Sequence, residues 1–203
     1  DQAHPSPDHL KRAVLLTIFA LSWASSILAW GLLEWLGRSS PVLRLVFGLN
    51  VIFHPMMAAV VWRRLLPPMI VDVSCLGFAS AICGGCMAFR FYVPAGASID
   101  LLALYVWIPI IYVFAFTLPD LRWSLRLSVA NLALFGAISL PFLLRNITLP
   151  EANATIQLHL ASGVLTAALY FFSSHVQRFQ IARLTGEEFA RLANTDELTQ
   201  LAN

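Results

Sequence analysis

The sequence predicts an all-α membrane protein with six transmembrane helices, both termini on the cytoplasmic side, and a last helix that runs on beyond the membrane. Three observations predict it. Hydrophobic residues make up 59% of the 203 residues and charged residues only 12%, about half the charged share of an average soluble domain. A soluble chain of this length has no interior large enough for so much apolar surface. Second, six apolar runs of about 20 residues follow one another, each long enough to cross about 30 Å of hydrocarbon at 1.5 Å per residue. Third, the 13 Lys and Arg residues fall unevenly on the two sides that such spans would separate. The formal net charge of +2 is too small and too dispersed for a nucleic-acid partner.

Residues 1–12 form a polar N-terminal lead with Pro5 and Pro7, ending in Lys11 and Arg12. The first apolar run, 13–36, is longer than the apolar region of a secretory signal and is followed by more spans, so a retained helix is expected. The second, 41–62, opens on Pro41 in a first-turn position and stops at Arg63-Arg64. The third covers 69–89. The fourth, 98–118, contains Pro109 and is closed by Pro119-Asp120. The fifth covers 121–144, and the sixth is expected from about Thr155 to Val176. Helices are the default because lipid offers backbone groups no hydrogen-bond partners.

Lys11, Arg12, Arg63, Arg64, Arg122, Arg126, Arg178, Arg183 and Arg191 share one side of this arrangement. Arg38, Arg44, Arg90 and Arg145 are on the other. The positive-inside tendency puts both termini in the cytoplasm. Two glycosylation-type triplets, Asn146-Ile147-Thr148 and Asn153-Ala154-Thr155, fall in the expected outer loop between spans five and six.

Polar groups inside spans are candidate sites, because burying them costs free energy that function usually justifies. The first group is Cys83-Gly84-Gly85-Cys86-Met87. Its two thiols are three apart on one helix face, and soft sulfur ligands suit a copper ion as Cu(I). Counting residues puts Cys86 about 25 Å from the inner end of span three, and His159 about 6 Å into span six from outside. A metal site of Cys83, Cys86, Met87 and His159 is therefore geometrically open. The alternative is that these small residues only let helices approach closely. An odd cysteine count, with Cys75 as the third, argues against a disulfide framework.

The second group is His54-Pro55, where Pro55 frees the carbonyl of Val51 and bends the helix. His54 then satisfies backbone or lines a cavity. A haem pair with His159 or His175 is disfavoured by depth. The third group is Glu34, Arg90, Asp100 and Arg145, near the outer span ends. These charges either snorkel to the interface or form a polar mouth for a small ligand, walled by aromatic residues such as Trp30, Trp35, Tyr105 and Trp107. Asp72 and Asn131, deeper or nearer the inner side, are candidates for interhelical bonds.

After Val176 the chain turns polar without a helix breaker until Gly186, a point of flexibility. Arg183, Glu187 and Arg191 are spaced by four, which supports an exposed helix. Ala182, Thr185, Phe189 and Leu192 occupy a and d positions over about one and a half heptads, a seam thinner than a firm coiled-coil assignment needs. The segment 177–195 is either a solvated extension or a parallel dimer stalk.

The chain ends Asp196-Glu197-Leu198-Thr199-Gln200-Leu201-Ala202-Asn203. This resembles the entry motif of GGDEF domains, the diguanylate cyclases: Asp, Leu, Thr, Leu and Asn stand at the family's spacing, and Gln200 replaces a commoner Gly. Six spans, a helix and this motif are similar in layout to membrane-associated (MASE-type) sensor regions. The resemblance implies a six-helix sensor over 13–176, a signalling helix over 177–195 that acts through Gly186, Phe189 and Leu192, and the start of a GGDEF domain at 196–203 with Asp196, Leu198 and Thr199. It also implies a homodimer in the bacterial inner membrane whose complete form condenses two GTP into cyclic di-GMP. Magnesium and GTP would belong to the missing cyclase domain, since no catalytic residue is present in these 203. The expected partners are membrane lipid, a second copy, and a small-molecule or metal stimulus. The alternative function is a small transporter or channel, although no inverted repeat or glycine-broken helix pair is visible.

Overall fold

A computed structural model describes residues 7–94, 99–118 and 120–193. Among them the chain forms six helices and no strand: α1 Pro7–Trp35, α2 Pro41–Trp62, α3 Pro68–Tyr92, α4 Leu101–Ala115, α5 Leu121–Asn146 and α6 Pro150–Ala193. Five are long and apolar enough to cross a membrane, and α4 is the shorter one. At 15 residues it covers about 22 Å at 1.5 Å per residue. The expected span 98–118 is thus trimmed at both ends. Asp100 Oδ1 accepts from the Leu102 N–H at 2.9 Å and fixes the start. Beyond Ala115 the turn tightens, with Thr117 N–H bonding Phe114 O and Leu118 N–H bonding Ala115 O. Such i→i+3 turns rise about 2 Å per residue, so the stretch to Leu118 recovers part of the lost length.

Local chemistry explains the other boundaries. Ser40 caps α2, its Oγ accepting from Leu43 N–H at 3.3 Å, with Pro41 next. Asp120 caps α5 through Arg122 N–H at 2.8 Å. Gly37, at φ 65°, closes α1, and the Arg38 N–H returns to Leu33 O at 2.9 Å in a Schellman turn that favours glycine. Arg64 takes the same left-handed role after α2 at φ 56°, without glycine's freedom.

The sixth helix departs most from expectation. It starts at Pro150, five residues early, and runs unbroken for 44 residues through Gly186. Pro150 and Glu151 are first-turn residues by chemistry, one lacking an N–H and one acidic. The outer loop shrinks accordingly. Asn153-Ala154-Thr155 lies within α6, and Thr155 is fully buried.

Packing divides into two cores. Leu15 and Phe19 of α1, Met57 and Val61 of α2 and Val71 of α3 form one. The second joins α3 to α6 through residues such as Leu76, Met87, Ile108, Tyr112, Phe135 and Leu158. Helix α3 contributes to both cores and is held to α2 by Phe53 stacked on Phe78 at 3.8 Å and to α1 by Lys11 Nζ on Asp72 Oδ2 at 2.7 Å. Asp72 therefore makes its expected interhelical bond. Asn131 instead donates to Leu127 O of its own helix.

Helix α3 runs alongside α5 at close range. A Cβ at Gly84 would lie 3.2 Å from Ile138 Cδ1 and 3.6 Å from Phe135 Cε1, whereas one at Gly85 would meet nothing within 4 Å. Gly84→Val is accordingly expected to lower stability by about 1–3 kcal/mol through overpacking. Gly85→Ala is expected to be neutral or stabilising by up to about 1 kcal/mol. Thermal midpoints of the purified variants in detergent check the contrast, and equal losses would contradict the close α3–α5 approach.

Candidate functional site

Glu34 and Arg90, two of the charged residues expected at one polar mouth, have separate partners. Glu34, at the end of α1, takes a forked pair from Arg44 of α2, Nε to Oε1 at 2.7 Å and Nη2 to Oε2 at 2.8 Å. Trp30 Nε1 and Ser39 Oγ also donate to Glu34 Oε1, at 3.0 and 2.8 Å. Four donors on one carboxylate make this the polar clasp of the α1–α2 hairpin. Arg90, at the end of α3, reaches Glu151 of α6 at 2.9 Å. Its Nε is buried without a hydrogen-bond partner. Beside this pair, Tyr105 of α4 shares a 2.5 Å hydrogen bond with Thr155, which donates to Glu151 O. Arg145 is exposed. Trp107 is 61% exposed on the outward side of α4, about 200° around from Tyr105 on a 3.6-residue turn. It does not wall a site with Tyr105. Arg44 and Glu151 are the partners that the sequence reading missed.

His54 and His159 are committed to short contacts. His54 Nδ1 donates to Asn50 O at 2.7 Å, and the ring packs near Phe53 and Phe19. The carbonyl of Val51, released by Pro55, accepts from Trp23 Nε1 of α1 at 3.1 Å. The proline bend thus creates the acceptor that joins α2 to α1, and His54 serves this kink. His159 Nε2 lies 2.6 Å from Ser139 Oγ, linking α6 to α5. The two line an open, mostly apolar groove of about 330 Å³ with Leu132, Gly136, Leu140 and Leu160.

Cys83, Cys86 and Met87 all point into the bundle and are buried, Met87 completely. All three cysteines are free thiols. Among the described residues no three His, Cys, Asp or Glu side chains converge as a metal-ligand group. If these sulfurs hold copper, Cys83→Ala with Cys86→Ala is expected to remove about one equivalent from the purified protein, because thiolates dominate Cu(I) affinity. Elemental analysis reads this directly, and equal copper in both proteins would dismiss the site.

The buried face of α6 carries a feature that the sequence reading passed over. Thr155, Ser162 and Thr166 of α6 are buried there, Thr155 against Tyr105 of α4, and Ser124, Ser128, Asn131 and Ser139 of α5 are buried too, all at most 7% exposed. The hydroxyls of Ser128 and Thr166 are buried with no hydrogen-bond partner among the described residues, and those of Tyr112 of α4 and Ser162 of α6 are buried beside each other. The signal was legible in hindsight: on α5 these residues recur at steps of three, four and eight, one helical face. Small hydroxyl residues let membrane helices approach closely and offer alternative hydrogen bonds. The face that holds α6 is therefore polar and incompletely paired, unlike the apolar core around it.

From residue 177 to 189 every side chain of α6 is exposed. Arg183 Nε bonds Glu187 Oε1 at 2.8 Å, the expected i,i+4 pair. Phe189 is 67% exposed, as are Ile181 and Leu184 at 65%. The side chain of Leu192, and Asp196, Leu198 and Thr199 entirely, lie outside the described residues. Comparison with family models, curated proteins and solved structures finds no match. What the chain itself offers is a membrane bundle whose last helix leaves it intact.

Proposed function

We propose that this chain is the transmembrane sensor and regulatory region of a bacterial diguanylate cyclase, six spans with both termini in the cytoplasm. The single observation that carries the reading is α6. One helix starts at the Arg90–Glu151 and Tyr105–Thr155 contacts, passes the hydroxyl face, and continues through Gly186 to Ala193. Its 44 residues extend about 66 Å, twice what a bilayer core needs. A displacement at its first turn or along its hydroxyl face is transmitted to the residues before the Asp196 motif.

In this reading the stimulus acts on the α3–α6 bundle. A small ligand at the His159–Ser139 groove, or copper or redox chemistry at Cys83, Cys86 and Met87, changes which hydroxyls pair between α6 and its neighbours, Tyr105–Thr155 among them. The projecting segment meets its counterpart in a second copy through Ile181, Thr185 and Phe189, which fall at steps of four with Ala182 beside them. Two GTP-loaded cyclase domains are thereby brought together or kept apart. The reading requires that the residues following Asn203 carry a glycine-glycine-acidic-glutamate-phenylalanine turn or a close variant. The coding sequence tests this, and its absence would favour the transporter or channel alternative.

A further inference from the structure

Where α5 begins and α6 leaves the bundle there is a second open groove, of about 580 Å³, lined by Leu121, Arg122, Leu125, Arg126, Tyr170 and Gln177, with Asp120 at its edge. We propose that it binds the phosphate headgroup of an anionic phospholipid. The proposal rests on the transmembrane reading and needs no cyclase. Arg122 and Arg126 are one helical turn apart, so their guanidinium groups share a face. Both are exposed, and among the described residues neither has a carboxylate partner within salt-bridge distance, although four other ion pairs form. Arg126 is held over the Trp123 ring at 5.5 Å, which restricts its guanidinium before any ligand arrives. The Asp120 carboxylate caps α5 by accepting Arg122 N–H. It contributes one negative charge against two positive ones, and it occupies the Arg122 backbone donor at the helix start. The site is therefore one of side chains.

Its level in the bundle selects lipid over a soluble phosphate. On the bundle side, Val129 of α5 is 51% exposed and Phe171 and Phe172 of α6 are each 68% exposed. Beyond Gln177 the helix turns polar. The groove thus straddles the change from apolar to polar surface, with Trp123 and Tyr170 at the depth where such rings sit in a bilayer. Guanidinium groups bind phosphate oxygens in a forked geometry, Leu121 and Leu125 meet the glycerol backbone, and the acyl chains run along Phe171 and Phe172. Basic grooves between membrane helices are general sites for anionic headgroups. A lipid held here pins the point at which α6 leaves the membrane.

The test is native mass spectrometry of the delipidated protein in detergent with equimolar phosphatidylglycerol and phosphatidylcholine. The intact protein is expected to retain phosphatidylglycerol about tenfold over phosphatidylcholine, the ratio that one charge-assisted contact supports. Arg122→Gln with Arg126→Gln is expected to bring the ratio near one while leaving the thermal midpoint unchanged, since both side chains are exposed. Arg183→Gln, outside the groove, should keep the full preference. An unchanged ratio in the double variant would overturn the site. An equal loss in Arg183→Gln would also overturn it, by showing diffuse charge attraction. Displacement of the lipid by millimolar inorganic phosphate would contradict the lipid assignment and leave a soluble-anion site instead.

Discussion

Lys11→Met is expected to lower the stability of the protein by about 2 kcal/mol, more than any surface substitution. Among the described residues Asp72 is the most deeply buried acidic side chain, 3% exposed, and Lys11 Nζ at 2.7 Å is its partner. Removing the cation leaves a carboxylate stranded between α1 and α3. Breaking a fully buried pair costs about 3–5 kcal/mol; the figure here is lower because a third of the Lys11 side chain is solvent-accessible. Lys11→Met combined with Asp72→Asn should recover most of the loss, since no stranded charge remains. A double-mutant cycle on thermal midpoints in detergent measures this. Additive losses would show that the pair is not a coupled tie between α1 and α3.

One residue inserted after Gly186 is expected to abolish regulation of the complete protein while leaving its membrane bundle folded. The insertion rotates everything beyond it by about 100° and lifts it by about 1.5 Å. It moves Phe189 out of line with Ile181 and Thr185, so a dimer seam cannot continue across it. Seven inserted residues restore the phase to within about 20° and should restore regulation. Stimulated and unstimulated cyclic di-GMP production across an insertion series reads the effect. Production independent of insertion length would mean that α6 is a tether and not a lever. Gly186→Ala provides a milder companion. A Cβ there meets nothing within 4 Å, so the helix gains about 1 kcal/mol, and any signal that uses bending at Gly186 weakens.

Five of the six apolar runs were legible as helices long enough to cross a membrane, because such helices need only length and apolar composition; the fourth is shorter. Boundaries were legible where a capping group stood beside the run, as at Ser40-Pro41 and Asp120. They were missed where polar residues are helical, as at Pro150-Glu151, because hydropathy reads those residues as loop. That the outer charges could be read either as snorkelling groups or as one polar mouth had a physical origin too. Charges at one end of a bundle look alike in sequence, but the tight Gly37 turn sets Arg44 against Glu34, and the early start of α6 sets Glu151 against Arg90. Neither pairing follows from hydropathy or charge count. Pro55 was the more informative residue: the sequence identified the freed Val51 carbonyl, and only the fold supplied Trp23 as its donor. The hydroxyl face of α6 was present as a period, and the apolar background hid it.

The proposed coupling of this bundle by α6 to a cyclic di-GMP-forming output is tested most directly by synthesis from the complete protein in native membranes supplied with GTP and magnesium. The account predicts cyclic di-GMP from the complete protein, none from residues 1–203 alone, and a changed rate when Ser162→Ala and Thr166→Ala alter the hydroxyl face of α6. No cyclic di-GMP from the complete protein, or a rate indifferent to those substitutions under every stimulus condition that alters the unsubstituted protein, would contradict it.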